Sequence, residues 1–170
     1  MTPTQQRNLL LRANRHLGAA LVDANLLKID QLETASGRFL ELVASDNRRQ
    51  SSLLGILAYE MKVLREEEVL QHALDEHGVG LVDLRDYELH EEVRSALDLD
   101  MCWATWSLPF DREEGFYFVA TACYHSPTVR AHWEKTLGGP ILWYGTTIEM
   151  IADILEKLTD SAKPAEPPAA

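Results

Sequence analysis

Leu17-Gly18-Ala19-Ala20-Leu21-Val22-Asp23-Ala24-Asn25-Leu26-Leu27 is answered later in the chain by Leu54-Gly55-Ile56-Leu57-Ala58-Tyr59-Glu60-Met61-Lys62-Val63-Leu64, without a gap and at an offset of 37 residues. Each glycine follows a leucine. Each copy closes on an apolar pair, Leu26-Leu27 or Val63-Leu64, and the polar stretches Lys28 to Gln31 and Arg65 to Glu68 then lead to Leu32 and Val69. Such self-similarity marks a repeated supersecondary unit. A glycine opening each unit removes a side chain where another backbone, or a flat ligand, comes close. Packing between helices is the preferred reason for both glycines.

Working outward, Leu9, Leu10, Ala13, Leu17, Ala20 and Leu21 recur at helical spacing and predict a helix from about Gln5 to Asp23, stopped at Asn25. A second helix is expected from near Asp30 to Asp46-Asn47, burying Leu32, Ala35, Phe39, Leu40 and Val43. The plan then recurs: Leu54, Leu57, Ala58 and Met61 in one helix, a break at Lys62, and a second helix over Glu66 to Glu76. Residues 1–78 therefore read as a tandem helix-pair subdomain.

The glycines of Gly78-Val79-Gly80 end that unit, and Leu81-Val82-Asp83-Leu84 reads as a short extended segment. After a short helix over His90 to Leu97, the runs Met101 to Leu108 and Phe116 to Cys123 flank Asp111-Arg112-Glu113-Glu114-Gly115, a hairpin signal. Ser126 and Pro127 open a helix that ends near Gly138-Gly139. A strand over Ile141 to Tyr144 and a closing helix after Thr146-Thr147 complete a small α+β subdomain over 79–160. The fold class is α+β: an N-terminal tandem helix-pair repeat packed with a small C-terminal α/β sandwich, its sheet of three or four strands. Residues 161–170, with Pro164, Pro167 and Pro168 among alanines, read as a disordered tail.

The chain has 170 residues, 46% of them hydrophobic, and a formal net charge of −11. That charge repels a nucleic acid polymer or an anionic bilayer. No apolar run is long enough for direct membrane insertion. Cys102 and Cys123, without an apolar leader, suggest a reduced compartment and a cytoplasmic protein.

Catalytic constellations are not apparent, and the chain is expected not to be an enzyme. It has no Gly-x-x-x-x-Gly-Lys-Ser/Thr string to cradle a phosphate. His72 and His77 are five residues apart and do not share a helix face as an i, i+4 pair would. Together with His90 they read as surface polar residues, and no metal is expected. Cys102 and Cys123, on strands that could pair, read as buried core thiols. Ser126 beside His125 lacks the elbow glycines of a hydrolase and reads as a helix cap. Trp103 and Trp106 have opposite parity on one expected strand. One of them is a candidate partner-binding anchor; the alternative is that helices cover one face and the other tryptophan packs on the helical zone.

In their order along the chain, Leu17-Gly18 with Leu26-Leu27, Leu54-Gly55 with Val63-Leu64, His77 to Leu84, Leu108-Pro109, Ser126-Pro127 and Gly145-Thr146-Thr147 resemble a known family. It is the N-terminal domain of type II secretion and type IV pilus-extension ATPases (the protein E N-terminal domain), here as a free-standing chain without the ATPase domain. The resemblance implies a bacterial, cytoplasmic protein–protein interaction or regulatory module whose partner is a secretion or pilus component. It leaves the oligomeric state open. It implies no cofactor, but it brings a nucleotide-binding alternative. Some members bind cyclic di-GMP, each repeat supplying an Arg-Leu-Gly opening, a second glycine and a closing glutamine. This chain departs from that set: His16 and Leu53 stand at the arginine positions, Asn25 and Lys62 at the second glycine, Phe39 and Glu76 at the glutamine. Leu17, Gly18, Leu54 and Gly55 carry over directly, and Arg12, Arg15, Arg48 and Arg49 lie near enough to substitute. The implied ligand set is thus Arg12, Arg15, Leu17, Gly18, Leu21, Arg49, Leu54 and Gly55.

Overall fold

The computed structural model describes residues 1–162. Helix α1 spans Pro3–Asp23 and starts earlier than the apolar stripe demands, because Thr2 and Gln5 form a capping box. The Gln5 amide donates to Thr2 Oγ1 at 3.1 Å and the Thr2 amide to Gln5 Oε1 at 2.9 Å. Leu9, Ala13, Leu17 and Leu21 form its buried stripe. Asn25, at φ 60°, stops the helix. Helix α2 (Ile29–Ala44) buries Ala35, Phe39 and Leu42. Leu40, expected inside, is 57% exposed. The stripe set by Ala35 and Phe39 continues at Leu42, and Leu40 lies one step around the helix from it.

The second pair is built differently from the first. Helix α3 is one turn, Leu53–Gly55, running directly into a π-helical segment, Ile56–Glu60, where one helix had been expected. Met61 donates to the Ile56 carbonyl at 2.8 Å, the i to i−5 bond of that winding. Lys62 then turns left-handed at φ 55°, as Asn25 does in the first copy. Leu27 and Leu64 are both buried after these breaks. The repeat is therefore a repeat of backbone path, with two different residues at its left-handed turn. Helix α4 (Glu66–His77) ends at Gly78.

Strand β1 is reduced to Gly80–Leu81. Helix α5 covers Glu91–Ser95 and α6 covers Leu99–Thr105. The sheet continues with β2 (Ser107–Glu113), β3 (Phe116–Thr121) and β4 (Ile141–Gly145). Helix α7 (Pro127–Leu137) links β3 to β4, and α8 (Ile148–Ala162) closes the fold. The tail expected over 161–170 lies outside the described residues from 163 onward; Ser161 and Ala162 belong to α8. Strand order is β1-β4-β3-β2, parallel except for the β2–β3 hairpin. The fold is α+β with a four-stranded mixed sheet.

The expected strand over Met101 to Leu108 is corrected. Its first part is helix, capped by Asp98, whose carboxylate accepts from the Asp100 and Met101 amides at 3.1 and 3.3 Å. Trp106, at φ 48°, is the left-handed joint that turns the chain from α6 into β2. Met101 to Phe110 are buried without interruption. A run buried all round carries no period to separate helix from strand. Cys102 accordingly lies in α6 and does not sit on a strand opposite Cys123; both thiols are buried and free.

Helix α1 packs on α6 and α7 as well as on α2. One hydrophobic cluster runs from Leu9 through Leu57 and Trp106 to Leu155. Buried polar groups are paired within it. Ser126 stands at the α7 N-cap position, but its hydroxyl donates to the Ala13 carbonyl of α1 at 2.7 Å. The Trp133 indole donates to Thr105 Oγ1 at 3.0 Å, and the Trp106 indole to the Ser51 carbonyl at 3.1 Å.

Candidate functional site

The two repeat glycines sit in unlike surroundings. A Cβ placed on Gly18 would lie 2.5 Å from Leu32 Cδ1 and 3.1 Å from Leu53 Cδ2, so side chains from α2 and α3 already fill the space it leaves. Leu53 occupies an arginine position of the family pattern, is 2% exposed, and is part of the plug. The other such residue, His16, spends its ring nitrogen Nδ1 on the Thr128 hydroxyl of α7.

Gly55, by contrast, borders a groove of about 420 Å³ between α2, α3 and α8, which Arg38, Arg49, Gln50, Tyr59 and Ile148 also line. Both arginines there are already paired: Arg49 with Asp153 at 3.0 Å and Glu156 at 2.8 Å, Arg38 with Glu60 at 2.9 Å and Glu41 at 3.1 Å. An anion entering the groove has to exchange with those carboxylates. Beneath it, the buried Glu66 carboxylate accepts from the Ile148 amide at 2.9 Å, at the start of α8, and from the Tyr59 phenol. Burial pushes the Glu66 carboxyl up, against the lowering effect of those two hydrogen bonds. Burial and then Glu66 push the Tyr59 phenol up as well.

Of the sequence-derived ligand set, the groove unites Gly55 with Arg49. Arg15 lines a separate cleft with Leu32, Phe39 and Leu40, and Arg12 is exposed on α1. Leu17, Leu21 and Leu54 are core residues, and Arg48 pairs with Asp100 at 2.9 Å. Trp103 and Trp106 are 5% and 1% exposed, their rings edge to face at 5.7 Å. Neither lies on a strand: Trp103 is within α6 and Trp106 is the joint before β2, so opposite parity on a strand does not apply to them.

Sequence matching against family models finds none for this chain. The type IV pilus assembly ATPase PilB of Thermus thermophilus is 30% identical over 115 residues, which is 66% of this chain and 12% of PilB's own length. Among solved structures, the N-terminal domain of XpsE superposes with a TM-score of 0.54 at 20% identity, covering 85% of this chain and 94% of that one. The chain has the fold of a secretion-ATPase N-terminal domain. MshE, solved with cdg (cyclic di-GMP), superposes on this secretion-ATPase N-terminal fold with a TM-score of 0.53 at 17% identity, over 84% of this chain and 97% of that one. Among the described residues, no helix is long and apolar enough to cross a membrane.

Sequence reasoning missed one constellation in this secretion-ATPase N-terminal fold. His72 and His77, read as separate surface residues, meet the buried His125 at the C-terminal end of α4. His72 Nδ1 lies 2.8 Å from His125 Nε2. No spacing rule links residues so far apart in sequence.

Proposed function

We propose that this chain is a non-catalytic docking and regulatory domain that acts in the bacterial cytoplasm on a component of a secretion or pilus machine. The observation that supports this reading best is the superposition of 85% of the chain on the N-terminal domain of XpsE. The groove beside Gly55 fits the role, since its arginines sit in exchangeable surface ion pairs that a partner's carboxylates can replace at small cost. Affinity capture from the native lysate tests the proposal. Stoichiometric recovery of a secretion or pilus subunit supports it, and repeated recovery of nothing stoichiometric overturns it.

A second reading, cyclic di-GMP binding, is favoured by the likeness to MshE solved with cdg. The groove offers guanidinium groups for phosphate or guanine and an aromatic ring, Tyr59, for a base. Gly18 offers no equivalent space, so binding would use one repeat only. Calorimetry at high micromolar ligand and two salt concentrations decides it: a heat lost in Arg49→Ala supports the reading, and no heat at either salt concentration removes it.

A further inference from the structure

We propose that His72, His77 and His125 form a binding site for one divalent transition-metal ion of the zinc class, with three imidazole ligands and a fourth position open to solvent. Two elements build it. Helix α4 supplies His72 and, in its last turn, His77, immediately before the left-handed Gly78 ends the helix. The segment between β3 and α7 supplies His125. It is held on both sides, by Ser126 donating to the Ala13 carbonyl and by Arg130 Nε donating to the Tyr124 carbonyl at 2.9 Å. The third ligand thus arrives on an anchored stretch of backbone.

One ligand nitrogen from each ring lies within 4.8 Å of the other two, the closest pair being His72 Nδ1 and His125 Nε2 at 2.8 Å. Zinc–imidazole bonds of about 2.0–2.1 Å in a tetrahedral site require nitrogens roughly 3.3–3.4 Å apart. The observed spacing brackets that value, so small ring rotations complete the set. The His72–His125 hydrogen bond accounts for two of the rings only. His77 is drawn to 6.0 Å from His72 and 5.8 Å from His125, centroid to centroid, without such a bond.

The surroundings select the class of ion. All three ligands are imidazoles, a donor set that suits ions of the zinc class, and His125 is 7% exposed. Arg130 stacks on the Tyr124 ring at 5.0 Å and sets a positive charge nearby. That charge disfavours ions held mainly by electrostatics, such as magnesium or calcium, and leaves those that form strong bonds to imidazole nitrogen. His77 is exposed, which leaves the fourth position to water or to a ligand from another molecule.

Tag-free, chelator-treated protein titrated with Co²⁺ and then Zn²⁺ tests the site. The expected result is saturation at one cobalt per chain, with the visible absorption of a low-coordinate imidazole site, and its displacement by zinc. Because loss of an outer-sphere partner alone weakens metal sites about 10–100-fold, His77→Ala and His72→Ala should each weaken binding at least about tenfold. His90→Ala should leave it unchanged. Both informative residues are outside the core, so the test does not depend on a His125 variant that fails to fold. Absence of a saturable cobalt spectrum, or binding that survives the double variant His72→Ala/His77→Ala, overturns the proposal.

Discussion

Asn14 of α1 reaches across the repeat to Leu53: its Oδ1 accepts from the Leu53 amide at 3.1 Å, while its Nδ2 donates to the Leu10 carbonyl at 2.8 Å. Asn14 is buried, and the amide it satisfies is the first of α3, a donor with no partner inside so short a helix. The first helix pair therefore caps the second. Asn14→Ala leaves that amide unpaired in the interior and should lower stability by about 1–3 kcal/mol. Chemical denaturation measures the loss, and hydrogen exchange should show the Leu53 amide opening faster than the rest of the core.

Glu66 predicts a pH dependence. Its folded carboxyl titrates above the unfolded value because burial disfavours the charge. The folded state therefore binds its proton more tightly. This contribution favours folding at the acid end and is lost as pH rises through the folded pKa. Glu66→Gln keeps an acceptor for the Ile148 amide without the charge. Urea titrations from about pH 4 to pH 7 should show the variant gaining on the parent as pH rises. Glu66→Ala, which strands the buried Ile148 amide, should cost about 1–3 kcal/mol. An unchanged difference between the Gln variant and the parent across that range would contradict the assignment.

The β2–β3 hairpin turns on Glu114 and Gly115, both left-handed, at φ 52° and 83°. This two-residue geometry suits the strand twist and favours Asn-Gly. Glu114→Asn should raise the thermal midpoint slightly, by the equivalent of about 0.5–1 kcal/mol, and Gly115→Ala should lower it by about 1–2 kcal/mol. Calorimetric melting of the two variants checks both signs.

Lys62 holds the left-handed turn of the second repeat at φ 55°. That conformation costs a residue bearing a Cβ about 1–2 kcal/mol, and glycine's extra freedom in the unfolded chain offsets about 0.5–1 kcal/mol of any relief. Lys62→Gly should therefore stabilise the protein by up to about 1.5 kcal/mol, read as a shift in denaturation midpoint. Asn25→Gly should do less, because asparagine tolerates this region better.

Local rules reached far into this fold. The 37-residue offset was legible because leucines, glycines and polar stretches recur in step, and the matching left-handed turns at Asn25 and Lys62 show that it is an offset of backbone path. Helix stops, the Pro127 start and the Glu114-Gly115 turn are dictated by a few neighbouring residues. Two segments carry no usable local signal: the wholly buried run from Met101 has no alternation, and the π-winding of Ile56–Glu60 leaves the apolar spacing looking like ordinary helix.

The sequence by itself determined the α+β class, the tandem repeat and the likeness to secretion-ATPase N-terminal domains, because each rests on contacts among residues close in the chain or on a pattern repeated along it. Only the tertiary structure decided that Leu53 plugs the space at Gly18, that Gly55 opens on a groove with Arg38 and Arg49, and that His125 joins His72 and His77. Those outcomes depend on which helix faces meet once the core closes. Meetings between distant residues are set by the packing of whole elements, which no short spacing encodes.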